Sequence, residues 1–317
     1  MMHLRQPLLH LPNILPGAVH FVVAKSRPVC YNSPIKHQGG NFMANFIFGT
    51  RVHDMGKGTP MEMFTKIGSY GFDCVQLAYK KGITGVGGYG DITPELVDDT
   101  CKAIKESGVS VAVHGTYVEL GMVDENERRK QVDNFISQIP YTKTMKALCQ
   151  GSETTNMAKQ PGVTRAEAQR ALLRSLEEIM PHAETHGVTV AVEPVFYHSM
   201  NTPEAAKMVL DSIASDNLKI IFDAANLISF DDVSRQEAMW DRAMTAWGDK
   251  IVAVHVKGVS FDENGDFHST SYEQSQLDYA LIAKYVRQLG KDLPIMREEV
   301  KPDHAKVDIA FLKSLFY

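Results

Sequence analysis

Two runs, Val188-Thr-Val-Ala-Val-Glu193-Pro194 and Leu218-Lys-Ile-Ile-Phe-Asp223-Ala-Ala-Asn226, decide how this chain is read. Each apolar run ends in a carboxylate, and the segment between them, residues 202–215, has helical spacing, so the pattern is strand, crossover helix, strand. Ile251-Val-Ala-Val-His255-Val-Lys257 and Leu293-Pro-Ile-Met-Arg-Glu298-Glu299 repeat the design. Four consecutive strands thus finish in Glu193, Asp223, His255 and Glu298. One polar strand end means little, because loops begin there. Four in succession, all competent to bind a divalent metal, mean more: carboxylates with imidazole suit manganese, cobalt, zinc or magnesium. Parallel strands that alternate with helices and close into a barrel would bring these tips to one rim, where such barrels carry their active sites.

The same alternation extends over the rest of the chain. Strands are predicted at residues 46–54, 72–79, 109–114 and 146–150, and helices at 60–69, 94–107, 124–144 and 164–186, with Pro140 a possible interruption of the third. Thr59-Pro60 and Thr93-Pro94 are helix starts, and Gly108 and Gly187 are helix stops. With helices at 234–247, 274–289 and 307–316 the count reaches eight strand-helix units. The predicted fold is α/β, a single (β/α)8 barrel of the TIM type over residues 44–317. The glycines at 85, 87, 88 and 90 lack the dinucleotide and P-loop spacings and are read as an ordinary loop.

Residues 1–43 differ from the rest. Pro7, Pro12, Pro16, Pro28 and Pro34 interrupt each apolar patch and Gly39-Gly40 closes the stretch, so a disordered extension is predicted, with Met43 an alternative start. A hydrophobic content of 44% with 22% charged residues is that of a globular protein with ample core. A net charge of −5 argues against nucleic acid as the main partner. Cys30, Cys74, Cys101 and Cys149 are scattered without CxxC spacing, which fits a reducing cytoplasm. No apolar run approaches the roughly 18 residues of a membrane span.

Alternate strand residues point into a barrel. If Glu193 points inward, so do Ala191 and Thr189, while Ile221 lies under Asp223, Ala253 under His255 and Met296 under Glu298. By this rule Glu298 is a ligand and Glu299 is not. Lys257 shares the parity of His255 and is predicted one layer higher, on the substrate side. Arg51, His53, Gln76, His114 and Glu153 occupy comparable strand tips and are carried as candidate substrate contacts.

Glu193-Pro194 with Asn201-Thr-Pro-Glu204, Phe222-Asp223-Ala-Ala-Asn226, Val254-His255-Val-Lys257 and Leu293-Pro-Ile-Met-Arg-Glu298 together resemble the xylose isomerase-like barrels. That group includes sugar and sugar-phosphate isomerases and epimerases, inosose dehydratases and endonuclease IV. The resemblance implies one divalent metal, manganese foremost, held by Glu193, Asp223, His255 and Glu298. It also implies that Glu193 and Glu298 exchange the proton beside a carbonyl of a small polyhydroxylated substrate. A free carboxylate is too weak a base for that proton, so the metal must stabilise the charge that develops. Two departures stand out. Asn226 replaces a histidine that would meet substrate or a second metal, which places Asn226 among the substrate contacts, and Gly258 follows Lys257 where an aspartate is common. Dehydration of an inosose, abasic-site nuclease activity and non-catalytic sugar binding remain alternatives. A homodimer is an open possibility.

Overall fold

The computed structural model describes residues 44–317; the predicted extension over residues 1–43, and Met43 as a start, lie outside the described residues. The barrel strands and their helices follow in order: β1 (Phe46–Arg51), α1 (Pro60–Ser69), β2 (Cys74–Leu77), a single turn α2 (Tyr79–Gly82), α3 (Pro94–Ser107), β3 (Ser110–Gly115), α4 (Glu125–Thr144), β4 (Cys149–Glu153) and α5 (Arg165–His186). The second half continues with β5 (Val190–Glu193), α6 (Pro203–Ile213), β6 (Leu218–Asp223), α7 (Gln236–Trp247), β7 (Ile251–Val256), β8 (Gly258–Phe261), β9 (Phe267–Thr270), α8 (Tyr279–Gln288), β10 (Leu293–Arg297) and α9 (Ala305–Phe316). Eight parallel strands close in the order β1-β10-β7-β6-β5-β4-β3-β2. No helix among the described residues is long and apolar enough to cross a membrane.

The helix boundaries have local causes. Thr59 caps α1 with a reciprocal bond to Glu62, and Pro60 fills the first helical position, where no amide partner is needed. Thr164 and Glu167 repeat the device at α5, and Gly187 ends that helix in the left-handed conformation. Pro140 does not interrupt α4, which runs on to Thr144.

Two apolar cores result. The larger fills the layer between strands and helices, and a small one fills the barrel itself: Cys74, Ala112, Val113, Cys149, Ala191, Ile221, Ala253 and Met296. Ala191, Ile221, Ala253 and Met296 therefore lie inside, as strand parity requires. Gly151 makes room for this floor, because a Cβ there would stand 2.7 Å from both Ile221 Cδ1 and Val113 Cγ1.

Three expectations are corrected. Strand four is Cys149–Glu153 rather than 146–150, since Lys146 adopts φ +55° and the chain is still turning there; Glu153 is consequently within the strand, at its tip. Helix seven begins at Tyr279 rather than at 274, because Gln276 is tied to the preceding segment through its amide to Val259 O at 2.9 Å. Strand seven stops at Val256, and an antiparallel hairpin, β8 with β9, follows it around a turn with Gly265 at φ +83°.

Candidate metal centre

Strand register sets the side chains beside one another. Asp223 on β6 pairs with His255 on β7, Met296 on β10 pairs with that same His255 and puts Glu298 just beyond it, and Glu153 on β4 pairs with Glu193 on β5. Neighbours in register on parallel strands project to the same face, so the tips converge. Ligand atoms of Glu193, Asp223 and His255 lie within 4.8 Å of one another. Glu298 joins them through His255: Nδ1 is 3.1 Å from Glu193 Oε2 and 3.1 Å from Glu298 Oε1. All four side chains are buried. Glu299 leaves the set, having turned to φ +59°.

The surrounding groups hold this charge in place. Lys257 Nζ is 2.8 Å from Asp223 Oδ2 and 3.1 Å from Glu298 Oε2, as its inward parity predicts. Asp223 Oδ2 is thus met by the Lys257 ammonium and His255 Nδ1 by the two glutamates, whereas His255 Nε2 is buried without a hydrogen-bond partner among the described residues. Asp223 Oδ1, by contrast, accepts from the amides of Ala225 at 2.8 Å and Asn226 at 3.1 Å. Buried polar atoms are ordinarily satisfied, so an unpartnered imidazole nitrogen among three buried carboxylates is a donor set that a divalent cation would complete.

Burial and mutual repulsion shift the titrations. Burial raises the Asp223 carboxyl to about 6 against the opposing pull of Lys257. Burial disfavours charge on His255, but the carboxylates of Glu298 and Glu193 outweigh it and lift the imidazole to about 9. Burial likewise works against ionised Glu298, and Arg51, His255 and Lys257 overcome it and hold that carboxyl well below the usual range.

The remaining candidate residues divide. Arg51 is at the rim, with a guanidinium nitrogen 3.5 Å from Glu298 Oε2 and its fork on Asp54 at 2.8 Å in both bonds. His53 stands edge-on to Tyr117, and burial with nearby Arg51 and Lys81 keeps its pKa down at about 3. Gln76 donates to Tyr117 Oη at 2.7 Å and, with Glu153 and Glu193, lines a cavity of about 10 Å³ at the mouth. Glu153, raised to about 7 by burial and by Glu193, also lies 3.7 Å from His198 Nε2. Asn226 Nδ2 donates to Glu193 Oε1 at 2.5 Å, so the residue in place of a histidine orients one of the carboxylates.

His114 stands apart from the other candidates. The register between β2 and β3 shifts at Val75/Gln76, Val113 takes the inward position, and His114 faces the helices instead, with Nδ1 2.7 Å from Thr142 Oγ1. It is not among the converging tips. Sequence reasoning also passed over Asp54, Tyr117 and His198 as site residues. They lie in loops or single turns, where no periodicity marks them; proximity to a strand tip is the only available signal.

Residues 64–315 match the family model for xylose isomerase-like TIM barrels. No curated protein matches the sequence. Among solved structures, a D-tagatose 3-epimerase-like protein superposes with a TM-score of 0.70 at 16% identity, covering 85% of this chain and 96% of its own. A 3-keto-D-glucoside 4-epimerase from E. coli superposes at 0.65 with 17% identity, covering 85% of this chain and 100% of its own. The IOLI protein with a bound zinc atom gives 0.65 at 14% identity, with 85% and 96% covered.

Proposed function

The chain belongs to the xylose isomerase-like TIM barrel family, and on that premise we propose that it is a metal-dependent sugar isomerase or epimerase that moves a proton on the carbon beside a carbonyl. The observation that carries this reading is the pair of buried glutamates, Glu193 and Glu298, each 3.1 Å from the same His255 nitrogen. The similar structures named as epimerases agree with it.

Glu193, Asp223, His255 and Glu298 would hold one divalent cation, with manganese the first choice and cobalt, magnesium or zinc as alternatives. Bound there, the cation supplies Lewis acidity to a carbonyl and its neighbouring hydroxyl. The chain's own residues do the rest. Glu193 and Glu298, on either side of His255 Nδ1, remove the proton from carbon and return it, which inverts the centre or relocates the carbonyl. Asn226 fixes which lone pairs of Glu193 face the substrate by occupying Oε1. Lys257 and Arg51 keep Glu298 ionised and so free to accept a proton, while their charge makes it a weaker base that returns the proton readily. Gln76, beside Arg51, and Glu153, beside Glu193, present hydrogen-bonding groups to hydroxyls further along the substrate.

The test is deuterium exchange from solvent into the carbon adjacent to the carbonyl, run on a panel of ketoses and inososes with added manganese. Exchange with at least one of them is expected. Exchange accompanied by loss of water would redirect the reading to dehydration, and no exchange together with no retained metal would sink it.

A further inference from the structure

We propose that the rim beside β2 and α2 is an anion-binding subsite, which takes a carboxylate or phosphate at the far end of the sugar substrate. Its basis is two ammonium groups that are held by aromatic rings instead of by acids. Lys80 Nζ lies 4.7 Å from the centroid of the Tyr89 ring, and Lys81 Nζ lies 3.4 Å from that of Tyr117. Among the described residues neither ammonium has a carboxylate within ion-pairing distance, although the other cations at the mouth, Arg51 and Lys257, are each paired twice over. A cation over a ring face is oriented without its N–H groups being used up. These two therefore present free donors in a fixed place.

The space they border has a matching size. Lys80, Lys81, Tyr89, His114 and Tyr117 enclose a cavity of about 50 Å³. At roughly 10–15 Å³ per water on this measure, that is the room of about three to five waters, comparable to one carboxylate or phosphate group. Tyr117 is also a wall of the smaller cavity beside Glu153 and Glu193, so a single extended ligand can reach both. The Tyr89 hydroxyl donates to Tyr117 O at 3.0 Å and ties the two rings together.

Charge at the mouth is divided in the same sense. Glu153, Glu193 and Asp223 stand on β4, β5 and β6, whereas Arg51, Lys80 and Lys81 stand on β1 and just past β2; Lys257 and Glu298, past β7 and β10, pair with each other and so leave this contrast in place. The glycine loop does not compete for the ligand, because the amides of Gly87 and Gly88 already donate to Asp91 Oδ2 at 2.9 and 2.8 Å. Recognition falls to the lysine side chains. An anion is favoured over a neutral hydroxyl because hydrogen bonds between charged partners are about twice as strong as neutral ones.

The inference rests on the sugar-isomerase reading for the identity of the ligand's other end, so the test measures binding separately from turnover. Calorimetric titration of the manganese-loaded chain compares inorganic phosphate, a neutral ketohexose, its terminal phosphate ester and the corresponding keto-uronate. One of the two charged sugars is expected to bind at least ten-fold tighter than the neutral one, and which of them does so identifies phosphate or carboxylate as the group recognised. In the Lys80→Gln/Lys81→Gln double variant that ratio is expected to fall to near one and phosphate binding to disappear, with the unfolding midpoint confirming a folded protein. Charged and neutral sugars within three-fold of each other in the wild type, a ratio retained by the double variant, or no sugar binding at all would each overturn the subsite. Failure of proton exchange with every sugar, read in parallel, would overturn the isomerase reading instead.

Discussion

Asp54 holds the backbone of Glu299: its Oδ2 accepts the Glu299 amide at 2.6 Å, joining the two ends of the barrel across 245 residues. Glu299 is in the left-handed conformation, φ +59°, which costs a residue with a Cβ roughly 1–2 kcal/mol. The same carboxylate takes the fork of Arg51, whose outer nitrogen lies by Glu298. Asp54 thereby fixes the turn that places Glu298 and sends Glu299 away.

Asp54→Ala is therefore expected to lower stability by about 1–2 kcal/mol, the cost of leaving part-buried partners unsatisfied. Asp54→Asn, which keeps an acceptor for the Glu299 amide but not the charge, should fall between it and the wild type. Urea unfolding of the three metal-free proteins is the check, and an alanine variant as stable as the wild type would show that the turn is held by other contacts.

Glu193→Gln and Glu298→Gln are each expected to reduce deuterium exchange by about 10²–10⁴-fold, the usual contribution of a positioned acid or base. Stability is a separate readout. Each glutamate also pairs with the charged His255, and Glu298 with Lys257 and Arg51, so the metal-free variants should unfold earlier than the wild type; exchange is therefore read where all the proteins are folded, and a variant with full exchange would remove that glutamate from the mechanism.

Why the four tips were legible and their neighbours were not follows from geometry. Strand alternation has a period of two, so once Glu193 is set inward the places of Ile221, Ala253, Met296 and Glu298 follow, and these four lie as expected. The rule fails where the register slips. One irregularity between Val75 and Gln76 sends Val113 inward and His114 outward, and nothing in Val109-Ser-Val-Ala-Val-His114 announces it. Tyr117 and His198 reach the mouth from loops whose paths depend on the whole barrel. The hairpin did leave a trace, Asn264-Gly265 between alternating residues, but it directly follows a barrel strand and reads as an ordinary loop.

The imidazole of His255 gives the centre a pH dependence with a definite sign. Its folded value of about 9 lies above the ordinary value of 6.5, so between these two the metal-free native state binds more protons than the unfolded chain. That stabilisation is complete below about 6.5 and is lost as pH rises through 9, on the order of 3 kcal/mol in all. A metal ligand must be neutral, so metal competes with this proton. Scanning calorimetry in chelator from pH 7.5 to 9.5, above the unfolded-state titration of the buried neutral His53, His114 and His198, should show falling stability, while equilibrium dialysis with manganese shows affinity rising by up to about ten-fold per pH unit. Flat profiles in both would mean that His255 is neutral throughout.

Gly258 stands where an aspartate is common, and the hairpin explains it. A Cβ at this position would lie 2.2 Å from Thr270 O and 2.7 Å from Ser271 O, both backbone atoms that cannot swing aside. Gly258 pairs with Thr270 at the mouth of the hairpin, so any side chain must part β8 from β9 at their first rung. Further along, Phe261 packs edge-on to Phe267 at 5.6 Å, and both rings pack against Phe196 from the loop after β5. Gly258→Asp is thus expected to cost about 1–3 kcal/mol through overpacking and to expose residues 258–270. It should also loosen the adjacent Lys257, whose carbonyl accepts from Tyr279 Oη at 3.1 Å and whose ammonium is lodged between Asp223 and Glu298. Limited proteolysis of the metal-free variant should therefore cut within the hairpin faster than in the wild type. Equal cutting rates would mean that the hairpin tolerates a side chain here and that the glycine has another cause.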